Sequence, residues 1–315
     1  MLHDDVVGQL RRIGEQLTRQ VEVEVCRDGV VRPSETGAFT QPMGRGDING
    51  SERTRRSAAG SWKGAAGRKG TAGGSGKARP ASPDVVGSSP RPPYDRQLTE
   101  VCDEYTGSQY WLQDRGLWLL VPSTILRGLD RRALFLVAIP YDFDIATVAA
   151  WGFWDRNDGG EARWIGPRHT NYPTGSICAF HLGDESPWRN GGSLVTLLDL
   201  YSEWALRHLY LEQFHRWPGS QISSSTYERM VETHPEELCG CGSTDKMYSE
   251  CHQPADLACN RVAIAMSFMK RTNGGRRDPP IELFDVLSGK REPPPVVGFV
   301  MRPIRSDLAI GPRSR

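Results

Sequence analysis

Apolar positions near the start of the chain fall on one helical face, with Val6, Leu10, Ile13 and Leu17 recurring at spacings of three and four. Val21, Val23 and Val25 then alternate with Glu22 and Glu24, the two-residue period of a strand. The pair, spanning 1–31, is too small to stand alone and is expected to dock on a larger body. Ordered patterning resumes near Tyr94, with a short helix over Gln97 to Tyr105. Tyr110 to Val121, Ala133 to Ile139 and Thr147 to Trp154 follow as apolar runs, the last closed by Asn157-Asp158-Gly159-Gly160. Such runs separated by turn residues predict an antiparallel meander. Leu194, Leu197, Leu198, Tyr201, Trp204, Ala205, His208 and Leu209 keep one face apolar for four turns and predict a long helix ending by Pro218-Gly219. Ser225 and Glu228 have capping-box spacing for a shorter helix over Thr226 to Thr233. Arg261 to Lys270 reads as a further helix, and Pro279-Pro280 and Pro293-Pro294-Pro295 break whatever follows.

Between these patterned stretches, 32–93 is dominated by Gly, Ser, Ala, Pro and Arg, and Trp62 is its only aromatic residue after Phe39. Such a segment buries too little apolar surface to offset its conformational entropy and reads as a flexible linker. Its basic residues, Arg53 to Arg79, also fit a tether for an acidic partner. Residues 302–315 read as a frayed basic tail. With 38% apolar residues and a mean hydropathy of −0.49, the 315-residue chain is expected to hold one well-packed domain beside poorly packed segments. A formal charge of +1 argues against a globally basic nucleic-acid binder. No apolar run reaches the roughly 18 residues of a membrane span. The first residues lack the basic flank and apolar stretch of a secretory signal, and the 7 cysteines are odd in number and clustered. Together these point to thiol or metal chemistry in a reducing cytoplasm.

Two stretches carry candidate chemistry. In His169-Thr170-Asn171-Tyr172-Pro173-Thr174-Gly175-Ser176-Ile177-Cys178, a thiol follows a Gly-Ser turn and precedes a polar loop. A loop on a rigid scaffold gives a nucleophile its approach path, and the Asn171 amide is the kind of donor that steadies an oxyanion. Taken alone, Cys178 beside Ile177 has the pattern of a small buried hydrophobe, and His169 that of a structural hydrogen bonder. Asp184 and Glu185, shortly after Cys178, either orient an incoming amine or line a solvated loop. In the second stretch, Cys239-Gly240-Cys241 and Cys251-His252 supply three thiolates and an imidazole, a full tetrahedral set for zinc, with Cys259 as an alternative to His252. Such a closed set is structural or a docking surface, not catalytic.

The order meander, His-x-Asn, Gly-x-Ile-Cys, Trp188, long helix resembles the ubiquitin-conjugating enzyme family, in particular its bacterial relatives. His169 and Asn171 match its first motif, Gly175 to Cys178 its second, and Ser193 to Leu209 its helix. Pro140 and Tyr141 sit at its Tyr-Pro turn. Thr170 stands where the family has Pro, and the interval from His to Cys is one residue shorter than in most eukaryotic members. The resemblance covers about 95–219. It implies an α+β fold, a meander sheet packed on helices, for a catalytic domain over 94–235. It also implies that Cys178 carries a ubiquitin-like modifier as a thioester and passes it to an amine, with Asn171 as oxyanion support and His169 as a structural member of the site. The implied partners are a ThiF-like adenylating enzyme, the modifier and an acceptor protein, in the setting of an antiphage operon. The cysteine stretch resembles the small zinc motif at the C-terminus of the bacterial translocation ATPase SecA. That implies a zinc knuckle over 236–260 held by Cys239, Cys241, Cys251 and His252, followed by a helix and tail over 261–315. A non-catalytic binding module, with the knuckle as its docking site, is the competing expectation, and a knuckle-type nucleic-acid binder using the basic linker is a weaker one. Because the long helix separates Cys178 from the knuckle in sequence, thiol chemistry is expected to be independent of the metal.

Overall fold

The structure, a computed structural model, describes residues 2–19, 21, 23–33, 94–143, 147–156, 160–180, 187–223, 225–243 and 245–300. Nearly all of the linker, the acidic pair Asp184 and Glu185, and the basic tail lie outside the described residues.

Helix α1 (Asp4–Thr18) buries Val6, Leu10, Ile13, Gly14 and Leu17, the face its spacing announced. Gly14 is required there, because a Cβ would stand 1.9 Å from the Tyr210 ring. Strands β1 (Val23–Val25) and β2 (Val31–Pro33) form a two-stranded antiparallel ribbon. Helix α2 (Asp95–Glu104) leads into a five-stranded sheet. Its strands are β3 (Gln109–Gln113), β4 (Gly116–Ser123), β5 (Arg131–Pro140), β6 (Ala149–Arg156) and β7 (Arg163–Trp164), antiparallel throughout and in sequential order. The expected meander is present, with five strands where three apolar runs were read: the first run divides into β3 and β4, and β7 is added.

One face of the sheet, with Leu117, Leu119, Val121, Phe135, Val137 and Ile139, shares a core with α1, α2 and the long helix α3 (Leu194–Phe214). Ser193 caps α3 by accepting from the Thr196 amide at 3.3 Å. The helix closes at His215 in the left-handed region. The opposite face carries Trp118, Leu136, Ala138, Trp151 and Phe153, and helices α7 (Glu282–Leu287) and α8 (Val296–Val300) cover it with Leu283, Val286, Val296 and Phe299. Phe299 stands edge-on to Trp118 and Trp151, with centroids 5.3 and 5.4 Å away. Both faces of β5 are therefore buried, which is why its sequence is an unbroken apolar run and not an alternation. The prolines expected only to break structure also serve as an anchor: the Trp118 indole donates to the Pro294 carbonyl at 2.7 Å.

Along the chain between α3 and α7 come α4 (Thr226–Glu232), a single 3-10 turn (Tyr248–Glu250), α5 (Gln253–Ala258) and α6 (Arg261–Arg271). Helix α4 begins where the capping-box spacing placed it, with Ser225 accepting from the Glu228 amide at 3.2 Å. Among the described residues, no helix is long and apolar enough to cross a membrane.

Candidate functional site

Cys178 sits at the end of a small hairpin that leaves β7 and returns to the start of β6. Thr170 and Ile177 form an antiparallel bridge, the Asn171 amide donates to the Ser176 carbonyl at 2.7 Å, and the Cys178 amide donates to the His169 carbonyl at 3.0 Å. The Ile177 amide donates to the Ala150 carbonyl at 2.7 Å, so the returning arm is stitched to the sheet. Side chains alternate in an extended arm: Ile177 points into the core and Cys178, one residue on, is exposed. Gly175 makes the turn with φ +64°, and a Cβ there would also stand 2.9 Å from the Asp278–Pro279 backbone. Trp188, buried, donates its indole N–H to the Ser193 carbonyl at 2.8 Å and so anchors the entry to α3.

Asn171 lies inside the hairpin. Its Nδ2 donates to the Ile177 carbonyl at 3.0 Å and to Ser176 Oγ at 3.2 Å, so both amide hydrogens brace the turn that carries the thiol. Freeing a hydrogen for an oxyanion would mean releasing the longer of these contacts, the one to Ser176. The thiol reaches the surface over a dense layer of protein. That crowding raises its pKa above the ordinary cysteine value, Glu228 adds to the rise, and Arg277 opposes it.

His169 is partly buried, with its Nε2 shut off from solvent. Its ring lies 3.9 Å from that of Trp217, and Trp217 in turn meets His208, at 5.2 Å and nearly perpendicular. Among the described residues, the Nε2 atoms of both histidines have no hydrogen-bond partner. Burial, reinforced by Arg168, holds His169 well below the usual histidine range, and burial holds His208 down at about 3. Both are neutral in the fold, whereas an unfolded histidine titrates near 6.5. A depressed folded pKa gives stability that is complete above about pH 6.5 and lost as pH falls below it, by roughly 1.4 kcal/mol per pH unit for His208, with His169 acting in the same direction. Thermal melting should therefore fall steeply between pH 6.5 and 4. His208→Phe should flatten that slope. A parent melting temperature that is level across this interval would contradict the assignment.

The residue before His169 begins a buried polar network. Arg168 donates through Nη1 to Glu237 Oε1 at 2.8 Å and through Nη2 to Gln221 Oε1 at 2.6 Å, and its Nη2 also pairs with Glu237 Oε2. The Glu237 side chain is fully buried and accepts as well from the Trp217 amide and from Gln221 Nε2. Glu237 is two residues from Cys239. This contact joins the thiol hairpin to the cysteine cluster, a link that no spacing in the sequence signalled.

Cys239, Cys241, Cys251 and His252 come together as a cluster that could hold a metal, their ligand atoms all within 4.8 Å of one another. Two short turns build it. Leu238 and Met247 form an antiparallel bridge, and the Cys239 amide donates to the Lys246 carbonyl at 2.9 Å. The 3-10 turn then delivers Cys251 and His252 to the start of α5. Sγ of Cys241 and Cys251 are 3.8 Å apart, and His252 Nδ1 is 3.4 Å from Cys239 Sγ and 3.1 Å from Cys251 Sγ. Cys259 is not in the group, and its thiol donates to the Ala255 carbonyl at 3.3 Å. The cluster is fastened to α4 by Arg229, whose Nε and Nη2 donate to Asp256 at 2.7 and 2.8 Å, with the Tyr248 hydroxyl on the same carboxylate at 3.1 Å.

No family model, curated protein or solved structure matches the chain. The geometry therefore carries the functional argument by itself. The structure brings His169, Asn171 and Cys178 onto one hairpin and the four cluster residues into one group. Sequence reasoning passed over Glu237 and Arg277 and gave Glu228 only its place in the α4 cap. Glu237 and Arg277 are single charged residues with no spacing signal, and only the folded chain gives them neighbours.

Proposed function

We propose that the chain is a ubiquitin-like-protein conjugating transferase of the cytoplasm, with a ubiquitin-conjugating-type fold, whose nucleophile is Cys178 and whose Cys/His cluster holds a structural zinc. The observation that carries the reading is the placement of Cys178. It is an exposed thiol on a braced hairpin between an antiparallel meander and the long helix packed across it. In the proposed chemistry a ThiF-like enzyme supplies the modifier with its terminal glycyl carbonyl activated. Cys178 Sγ, having lost its proton, bonds to that carbonyl carbon and expels the activating group. The amine of an acceptor protein then bonds to the same carbon and Sγ leaves as thiolate, a step for which sulfur is both a good nucleophile and a good leaving group. Asn171 holds the turn and, on releasing Ser176, becomes the donor for the oxyanion.

For the metal, thiolates at about 2.3 Å and an imidazole at about 2.0 Å from a tetrahedral zinc stand roughly 3.5–3.8 Å from one another. Three of the separations, 3.8, 3.4 and 3.1 Å, match this to within about 0.5 Å, and all of them lie within 4.8 Å. The ion would fix the fold of a segment with little core of its own.

A second reading, a protein-binding module without catalysis, draws support from the thiol itself, which crowding and Glu228 hold in its neutral form. One experiment separates the two. With a modifier, its activating enzyme and ATP, the parent should form an adduct that thiols reverse. Cys178→Ser should form a thiol-resistant oxyester, and Cys178→Ala should form nothing. A thiol-sensitive adduct surviving in the alanine variant overturns the transferase reading, and absence of any adduct in the parent favours the binding module.

A further inference from the structure

We propose that Arg277 is a positioning residue of the Cys178 site: from the segment between α6 and α7 it ties the thiol-bearing hairpin to α4 and, opposite Glu228, supplies the positive charge that the thiol faces. The proposal rests on Cys178 being the reactive group. The Arg277 side chain is only 5% exposed. Its Nη1 donates to the Thr170 carbonyl and to Glu228 Oε1, each at 3.4 Å, its Nη2 pairs with Glu232, and its guanidinium lies 4.3 Å from the centre of the Tyr172 ring. Thr170 is bridged to Ile177, the neighbour of Cys178, so Arg277 grips the arm opposite the thiol. The next residues press on the turn, where the Asp278–Pro279 backbone leaves no room for a side chain at Gly175. Phe268 of α6 closes the same side, edge-on to Tyr172 at 5.3 Å.

The charged and titratable groups gathered here are Tyr227, Glu228 and Glu232 of α4, Arg277 of the connecting segment and Tyr172 of the hairpin, with Arg168 and His169 at its base. A buried guanidinium used only as a staple has no advantage over an apolar side chain of the same volume. Here one cation stands among carboxylates beside a thiol, where its charge favours the thiolate that Glu228 disfavours. Arginine fits this place because its planar fork serves the carbonyl, the carboxylates and the aromatic face together. A lysine ammonium is a single point charge.

The test follows alkylation of Cys178 by iodoacetamide against pH in the full-length, metal-loaded chain, read by mass spectrometry of the Cys178 peptide. The exposed Cys102 serves as the internal reference. Arg277→Gln should move the Cys178 midpoint up by about one pH unit and slow alkylation at pH 7 several-fold. Glu228→Gln should move it down, and Arg277→Lys should restore most of the midpoint. If Arg277→Gln does not fold, Glu228→Gln and Arg277→Lys decide. Parent midpoints in the folded Gln variants, or shifts of both in the same direction, overturn the proposal. No modifier is present in this assay. Shifted midpoints without charging would therefore refute the transferase reading alone, and normal charging with unmoved midpoints would refute this one.

Discussion

Stripping the proposed zinc from the Cys239, Cys241, Cys251 and His252 cluster is expected to loosen the Cys178 hairpin as well as the cluster's own turns. Three thiolates and an imidazole would close a tetrahedral shell around zinc, and in segments this small such a site contributes apparent binding energies of about 10–16 kcal/mol that are also folding energy. Without the ion the four side chains lose their common centre, and the turns from Glu237 to His252 keep chiefly Leu238 and Tyr248 as buried apolar side chains to hold them. The sequence argued that this loss would stop at the knuckle, because a long helix intervenes between the two motifs. Packing removes that separation. Glu237 is hydrogen bonded to Arg168, and the next residue, His169, accepts the Cys178 amide through its carbonyl. Chelation, or Cys241→Ser, should therefore lower hydrogen-exchange protection across both 237–252 and 168–178, and the parent should contain about one zinc per chain that the variant lacks. Unfolding of the knuckle with full protection kept over 168–178 would restore the independent arrangement and overturn the coupling.

Much of the framework was legible because it follows from local periodicity. The face of α1, the meander, the Ser193 start of α3 and the Ser225 cap of α4 each come from residues within a few positions of one another. The cysteine cluster was legible for the same reason, since metal ligands need particular side chains at short spacings. What the sequence hid is long-range. Helices α7 and α8 are short segments among prolines, and nothing in their own composition says that they cover the second face of the sheet. That requirement is written instead in β5, whose consecutive apolar residues demand cover on both sides. The charged contacts at the thiol hairpin were hidden more deeply. Arg168, Glu228, Glu237 and Arg277 look like ordinary surface residues, and their meaning depends on partners separated by up to 107 positions along the chain.

Removing the carboxylate of Glu237 should be among the most destabilising single changes in the molecule. The side chain is fully buried, its oxygens take donors from Arg168, Gln221 and the Trp217 amide, and Arg168 is itself nearly sealed. Glu237→Ala leaves a buried guanidinium without its countercharge and a backbone N–H without an acceptor. Breaking such a pair costs about 3–5 kcal/mol, which in a body of this size lowers the melting temperature by roughly 10 °C. The reason for the loss is specific, and that makes it checkable. If the penalty is the orphaned charge, removing the charge as well should recover part of it. Arg168→Met combined with Glu237→Leu should be markedly more stable than the sum of the two single changes predicts, with a coupling of about 2 kcal/mol or more in a double-mutant cycle. The same cycle read by iodoacetamide at Cys178 should show the single variants reacting unlike the parent and the double variant partly restored, since the hairpin regains a packed base. Strict additivity of the two changes in stability would mean that Arg168 and Glu237 act separately, and the link from knuckle to thiol would then have to run through Gln221 and Trp217 alone.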